Sequence, residues 1–170
     1  EAGVDNTSFP NFQTGGIYQQ VYAGSSFSGP VTITQIAFAS NASFGSGAGT
    51  ATYNFNLALG ATPAVPNGLS TNLAANRGTV LSPVFSGPVV ATLTATNQFD
   101  VVIDIAPFTY NPADGNLLLE MTMNSPAQFT GGSVLYFTAG SVSNTSRAAS
   151  PTGASAGTFT DSFGLRTRFT

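Results

Sequence analysis

The stretch FDVVIDIAPFTYNPADGNLLLEMTM, Phe99 to Met123, decides the fold class. Side chains alternate along an extended strand, so Phe99, Val101, Ile103 and Ile105 fall on one face and Asp100, Val102 and Asp104 on the other. After a loop carrying Pro112 and Asp114-Gly115 the alternation resumes. Leu117, Leu119, Met121 and Met123 share one face, opposed by Leu118, Glu120 and Thr122. The pattern predicts two strands forming a central hairpin, the densest apolar material in the chain, with the rest packed around it.

Working outward, the same period of two recurs in short pieces. Ile17–Tyr22 and Val31–Ser40 read as strands, the latter with a phase slip between Ile33 and Ile36 that predicts a bulge. Ala51–Gly60 is the cleanest alternation: Ala51, Tyr53, Phe55, Leu57 and Leu59 against Thr52, Asn54, Asn56 and Ala58. Residues 60–78, with Pro63, Pro66 and Asn67-Gly68, predict a long surface loop. Thr79–Phe85 and Val89–Thr96 read as two strands around Ser86-Gly87-Pro88, and Ser133–Ala139 as another. Residues 140–157 read as a Ser/Ala/Gly loop, and Thr158–Thr170 as one buried final strand. No 3.6-residue period is sustained. The expectation is an all-β, antiparallel, jelly-roll-like sandwich of about nine strands over residues 17–170. Residues 1–16 precede it as an arm carrying Val4, Phe9 and Phe12. The word FSGPV occurs at Phe27–Val31 and again at Phe85–Val89, without a solenoid period.

Composition narrows the function. The 170 residues suit one domain with a real core; 42% are hydrophobic but only 6% charged, against about 25% in ordinary soluble domains. The surface is therefore built from Ser, Thr, Asn, Gln, Gly and Ala and lacks the charge repulsion that keeps molecules apart. Four arginines, no lysine and a net charge of -3 supply no basic stripe, which excludes nucleic acid and anionic membrane surfaces as partners. No apolar run approaches the roughly 20 residues of a membrane span. The absence of cysteine fits any compartment, while the Ser/Thr/Asn/Gly-rich, lysine-free composition points to a secreted protein, with Glu1 expected to follow a cleaved signal peptide.

Chemistry is equally restricted. Without His, Cys or Lys there is no Ser-His-Asp triad, Cys-His pair, His-ligated zinc or Schiff base. A carboxylate pair about 5–9 Å apart is the remaining catalytic option. Asp100 and Asp104 lie roughly 13 Å apart along one strand, so Asp104 and Glu120 facing each other across the hairpin are the candidates. The competing reading puts both on a solvated face. Asp5 and Asp161 stand alone, and Asp114 in a type I turn is a poor calcium ligand set. No catalytic residue, metal or cofactor is expected. Tyr18, Tyr22 and Tyr110 are candidates for sugar stacking, although fourteen phenylalanines assign aromatics mainly to the core. Three glycan-acceptor patterns, at Asn6, Asn41 and Asn144, fall in predicted loops.

A family resemblance rests on IYQQVY (Ile17–Tyr22), FSGPVTITQIAF (Phe27–Phe38), NGLSTNLAANRG (Asn67–Gly78) and VFSGPV (Val84–Val89). It continues in FDVVIDIAPFTYNPADGNLLLEM (Phe99–Met121) and DSFGLRTRFT (Asp161–Thr170). In these words the chain resembles the extracellular domains of bacterial PEP-CTERM proteins, the substrates of exosortases. The resemblance implies export by a Gram-negative bacterium and display or release at the cell surface, among biofilm matrix. The family brings no assigned catalytic residues. The Pro-Glu-Pro motif, membrane helix and basic cluster that follow such domains are absent from this stretch; a sorting tail removed, or lying beyond it, is the expectation. The functional expectation is a non-enzymatic structural or matrix protein that assembles with copies of itself, its N-terminal arm adding a strand to a neighbour. A carbohydrate-binding module for matrix polysaccharide is the alternative.

Overall fold

The computed structural model describes residues 5–8, 15–41, 49–94, 97–123, 128–130, 136–141, 143–151 and 158–170. The strands are β1 (Asp5–Ser8), β2 (Gly16–Tyr22), β3 (Val31–Phe38), β4 (Gly49–Thr62), β5 (Ser82–Leu93), β6 (Val101–Tyr110) and β7 (Asn116–Met123). They continue as β8 (Gln128–Thr130), β9 (Tyr136–Ser141), β10 (Thr145–Pro151), β11 (Phe159–Asp161), β12 (Phe163–Leu165) and β13 (Thr167–Phe169). Helical structure among the described residues is limited to 3-10 turns at Gly24–Ser26, Leu73–Asn76 and Pro112–Asp114. All pairings are antiparallel.

A seven-stranded sheet runs β11-β10-β2-β7-β4-β5, with β8 alongside β4. A three-stranded sheet, β13-β3-β6, faces it, and the core fills the space between. Tyr18, Tyr53, Phe55, Leu57, Leu59, Leu117, Leu119 and Met121 come from the first, Ile33, Ile36, Phe38, Val101 and Ile103 from the second. Each such side chain contributes about 1.5–3 kcal/mol by leaving water. The alternation in β4, in Val101–Ile105 and in Leu117–Met123 thus orients the strands as expected, whereas Phe99, ahead of β6, lies under Arg166 and Arg168 instead of joining that core face. The phase slip in β3 is a register shift between Ile33 and Gln35 opposite β6. There the N–H groups of Thr34 and Gln35 both donate to the Thr170 carbonyl, at 2.7 and 2.9 Å.

Four expectations are corrected. First, β6 and β7 are not a hairpin, because they belong to opposite sheets. Residues 111–115 arch between the sheets, and Gly115 makes this possible at φ +124, where a Cβ would lie 2.6 Å from the Thr62 carbonyl oxygen. The Tyr110 hydroxyl ties off the arch by donating to the Gly115 carbonyl at 2.6 Å. Second, Ser86-Gly87-Pro88 is no turn: β5 runs straight through it, with Gly87 opposite Phe55. Prolines are tolerated there because β5 ends the large sheet's strand order and need not donate on its free side. Third, the predicted loop 140–157 contains β10, paired to β2 through Arg147↔Gln20 and Ala148↔Gln19.

Fourth, the C-terminal segment is three strands rather than one, and each joins a different sheet. The surface loop expected at 60–78 is found over 63–81, residues 60–62 belonging to β4. It lies over the outer face of β2, β7 and β10, where Leu69 closes on Val21, Leu118 and Ala148, flanked by Ala64, Leu73 and Leu81. Beneath it the Asn76 amide donates to Gln19 Oε1 at 2.8 Å, and Gln19 Nε2 donates to Glu120 Oε2 at 2.7 Å. Arg77 completes the cluster with two bonds to the Glu120 carboxylate, at 2.7 and 2.8 Å. No buried side-chain polar atom among the described residues lacks a partner.

Candidate assembly edge

The third sheet, β1-β9-β12, joins the N-terminal strand to the C-terminal segment through β9. β1 pairs with β9 in the register Asp5↔Ala139, Asn6↔Thr138, Thr7↔Phe137 and Ser8↔Tyr136. On its other side β9 pairs with β12, as Phe163↔Ser141, Gly164↔Gly140 and Leu165↔Ala139. β1 is therefore an edge strand four residues long, joined to β2 by residues 9–15. A ladder of that length, at about 1 kcal/mol per hydrogen bond, is held far less tightly than β4 or β7, each paired along its length.

The sheet is anchored to the body by Gln20, which is fully buried. Its carboxamide behaves as a neighbouring strand's peptide would: Oε1 accepts from the Leu165 N–H at 2.8 Å and Nε2 donates to the Leu165 carbonyl at 3.0 Å. The Tyr18 hydroxyl orients that amide by donating to Oε1 at 2.6 Å. Gly164 permits the close approach, since a Cβ there would sit 2.7 Å from Thr145 Cγ2 and 2.8 Å from Gln20 Nε2. Beside it Arg147 makes two 2.9 Å bonds to Asp161 and lies 5.7 Å from the ring centres of both Phe159 and Phe163. Asp161 is thus paired, contrary to expectation. These contacts fasten β12 to the body, and β12 meets β9 at Ala139, the residue where the four-residue β1 ladder also starts. The other long edge, β5, carries Pro83 and Pro88 and lies alongside β6, a combination that discourages pairing with another chain.

Val4, Phe9 and Phe12 lie outside the described residues, flanking β1. The sugar-stacking expectation is corrected by burial. Tyr18 and Tyr110 are each 1% exposed, in the core. Tyr22 is partly buried with its hydroxyl on Thr167 at 2.7 Å and its ring edge-on to Phe169. The Asp104–Glu120 pair does not form: the two stand on opposite sheets, Asp104 accepting from Gln35 at 2.8 Å and Glu120 engaged by Arg77 and Gln19. Glu120 is 7% exposed, so the solvated-face reading fails for it as well. Asn6 is in β1 rather than a loop, and Asn41 is 2% exposed and closed to modification in the folded chain. Asn144 is exposed in the turn before β10, with Nδ2 donating to Ser26 Oγ at 3.2 Å. Asp114 ends the 3-10 turn of the arch, and no group of three metal-binding side chains occurs among the described residues. A cleft of about 240 Å³ between Asn67, Leu69, Ser146 and Thr160–Ser162 has polar walls, but Asp161 is taken by Arg147 and Ser146 Oγ by the Asn67 N–H.

One cluster has no counterpart in the sequence reading. Arg166 and Arg168 converge on Phe99, and their spacing of two in an extended segment, which puts both on one face, is the signal that could have found them. Comparison with protein-family models, curated proteins and solved structures gave no match to this chain.

Proposed function

We propose that this chain is a non-enzymatic extracellular structural subunit that assembles by passing its N-terminal strand to the β9 edge of a neighbouring copy. The observation that carries the reading is β1 itself: a four-residue edge strand whose pairing among the described residues is with β9, followed by residues 9–15 before β2 begins. A neighbour's β1 would make the same ladder, so exchange costs little enthalpy, and its direction is set by the connecting segment and by concentration. The neutral surface favours side-by-side packing, since two of the four arginines are already compensated by carboxylates and little charge must be desolvated. The resemblance to exosortase-sorted domains adds the setting: display or release at the surface of a Gram-negative bacterium, within matrix.

The absence of cysteine makes a direct test simple. Residues facing each other in an antiparallel ladder have Cα atoms about 4.5–5.5 Å apart, within disulfide range. The double variants Asn6→Cys/Thr138→Cys and Thr7→Cys/Phe137→Cys therefore report which copy supplies β1. Exchange gives disulfide-linked dimers and higher species on a non-reducing gel, increasing with protein concentration before oxidation. Intrachain disulfides alone at every concentration, with oligomers unchanged after deletion of residues 1–14, would overturn the proposal.

A further inference from the structure

Of the four arginines, Arg77 and Arg147 each grip a carboxylate with two hydrogen bonds. Arg166 and Arg168 are exposed, and neither has an acid within ion-pair distance among the described residues. Both rest instead on one ring. The Arg168 Cζ is 4.8 Å and the Arg166 Cζ 5.6 Å from the Phe99 ring centre, holding the two guanidinium carbons within about 10 Å of each other. The backbone explains the convergence. Thr167, between them, points inward to the Tyr22 hydroxyl, which leaves its two neighbours on the opposite face. Arg166 is held further by Asn97, whose Oδ1 accepts from Arg166 Nη1 at 3.3 Å and whose φ is +64. The nearest acids in the sequence are engaged elsewhere: Asp100 accepts from Ser40 and from the Thr94 N–H and hydroxyl, and Asp104 from Gln35.

We propose that Arg166 and Arg168, propped on Phe99, form a binding site for an oxyanion: a carboxylate, sulfate or phosphate. A guanidinium resting on a ring keeps its in-plane N–H donors at its edge, where a two-oxygen group is matched by a fork of parallel bonds. Phe99 acts as a support that limits how far the forks wander, reducing the ordering that binding requires. Val102, 44% exposed, shares a cross-strand row with Ala37 and Arg168 and adds an apolar shoulder. That suits an oxyanion carried on a carbon skeleton, as on an acidic sugar, and the same forks also take a free inorganic anion.

The test follows the arginine Nε resonances of the full chain at low ionic strength while sodium phosphate, sodium sulfate and an oligogalacturonate are added separately. Arg166 and Arg168 should shift with saturation while Arg77 and Arg147, already ion-paired, stay in place. The double variant Arg166→Gln/Arg168→Gln should bind at least about tenfold more weakly, with its unfolding midpoint unchanged because both side chains are exposed. Saturation by oligogalacturonate alone identifies an acidic glycan as the source, and saturation by phosphate or sulfate a free oxyanion; either supports the site. No saturation with any of the three, or equal movement of all four arginines, would overturn it.

Discussion

Raising the pH above 10 should sharply destabilise this protein through its buried tyrosines. Burial raises the phenols of Tyr18, Tyr22 and Tyr53 above their ordinary value, and at Tyr18 the nearby Arg147 and the Leu165 N–H pull the other way without cancelling it. Their protons are also in use, Tyr18 donating to Gln20 and Tyr22 to Thr167. A group whose folded pKa lies above its unfolded one supports the fold fully below the unfolded value, and loses that support as pH rises towards the folded one. The window therefore opens near pH 10. At pH 11 the unfolded chain has released most of a proton from each phenol that the folded chain retains, a difference on the order of 1 kcal/mol per tyrosine. Three tyrosines give a few kcal/mol, a substantial part of the roughly 5–15 kcal/mol that holds a domain together. The assay is clean because no lysine or cysteine titrates in this range. Urea midpoints by circular dichroism from pH 8 to 11.5 should fall above pH 10, and tyrosinate absorbance at 295 nm should rise in one step with unfolding. Gradual ionisation of all five phenols near pH 10, with stability unchanged, would refute the reasoning.

Three further outcomes follow from the packing. Glu120→Ala strands Arg77 and Gln19 beneath segment 63–81; because Arg77 is partly exposed the cost is held to about 2 kcal/mol, read as a lower urea midpoint with faster proteolysis within residues 63–81. Gly115→Ala meets both the positive φ and the Thr62 carbonyl and should cost about 2–4 kcal/mol, measured by thermal melting. Phe55→Ala opens the core beside the stacked Tyr53 ring and should cost about 3–5 kcal/mol, whereas Asn56→Ala, on the exposed face one residue on, should change stability by less than about 1 kcal/mol.

What the sequence discloses is local. Alternation in β4 and the bulge in β3 were readable because each depends on neighbouring residues. Sheet membership was not, since the same Pro-Asp-Gly loop serves a hairpin or an arch until the Thr62 backbone beside Gly115 decides. FSGPV makes the point directly: at Phe27–Val31 it bends before β3, and at Phe85–Val89 it lies inside β5, held straight by its ladder with β4. β10 escaped notice because TSRAASP has no bulky apolar residue; its alanines fit a site already walled by β2 and β11. The assembly edge was legible only as an arm, its partner β9 being 130 residues away in sequence. The arginine pair acquires meaning only when β3 brings β13 towards the start of β6.

The dozen residues from Phe159 onward are made after every other strand described, yet they supply one rung to each of the three sheets. A chain emerging N-terminus first therefore stays unfastened until they appear. Any truncation ahead of Phe159 should leave a product that collapses without locking.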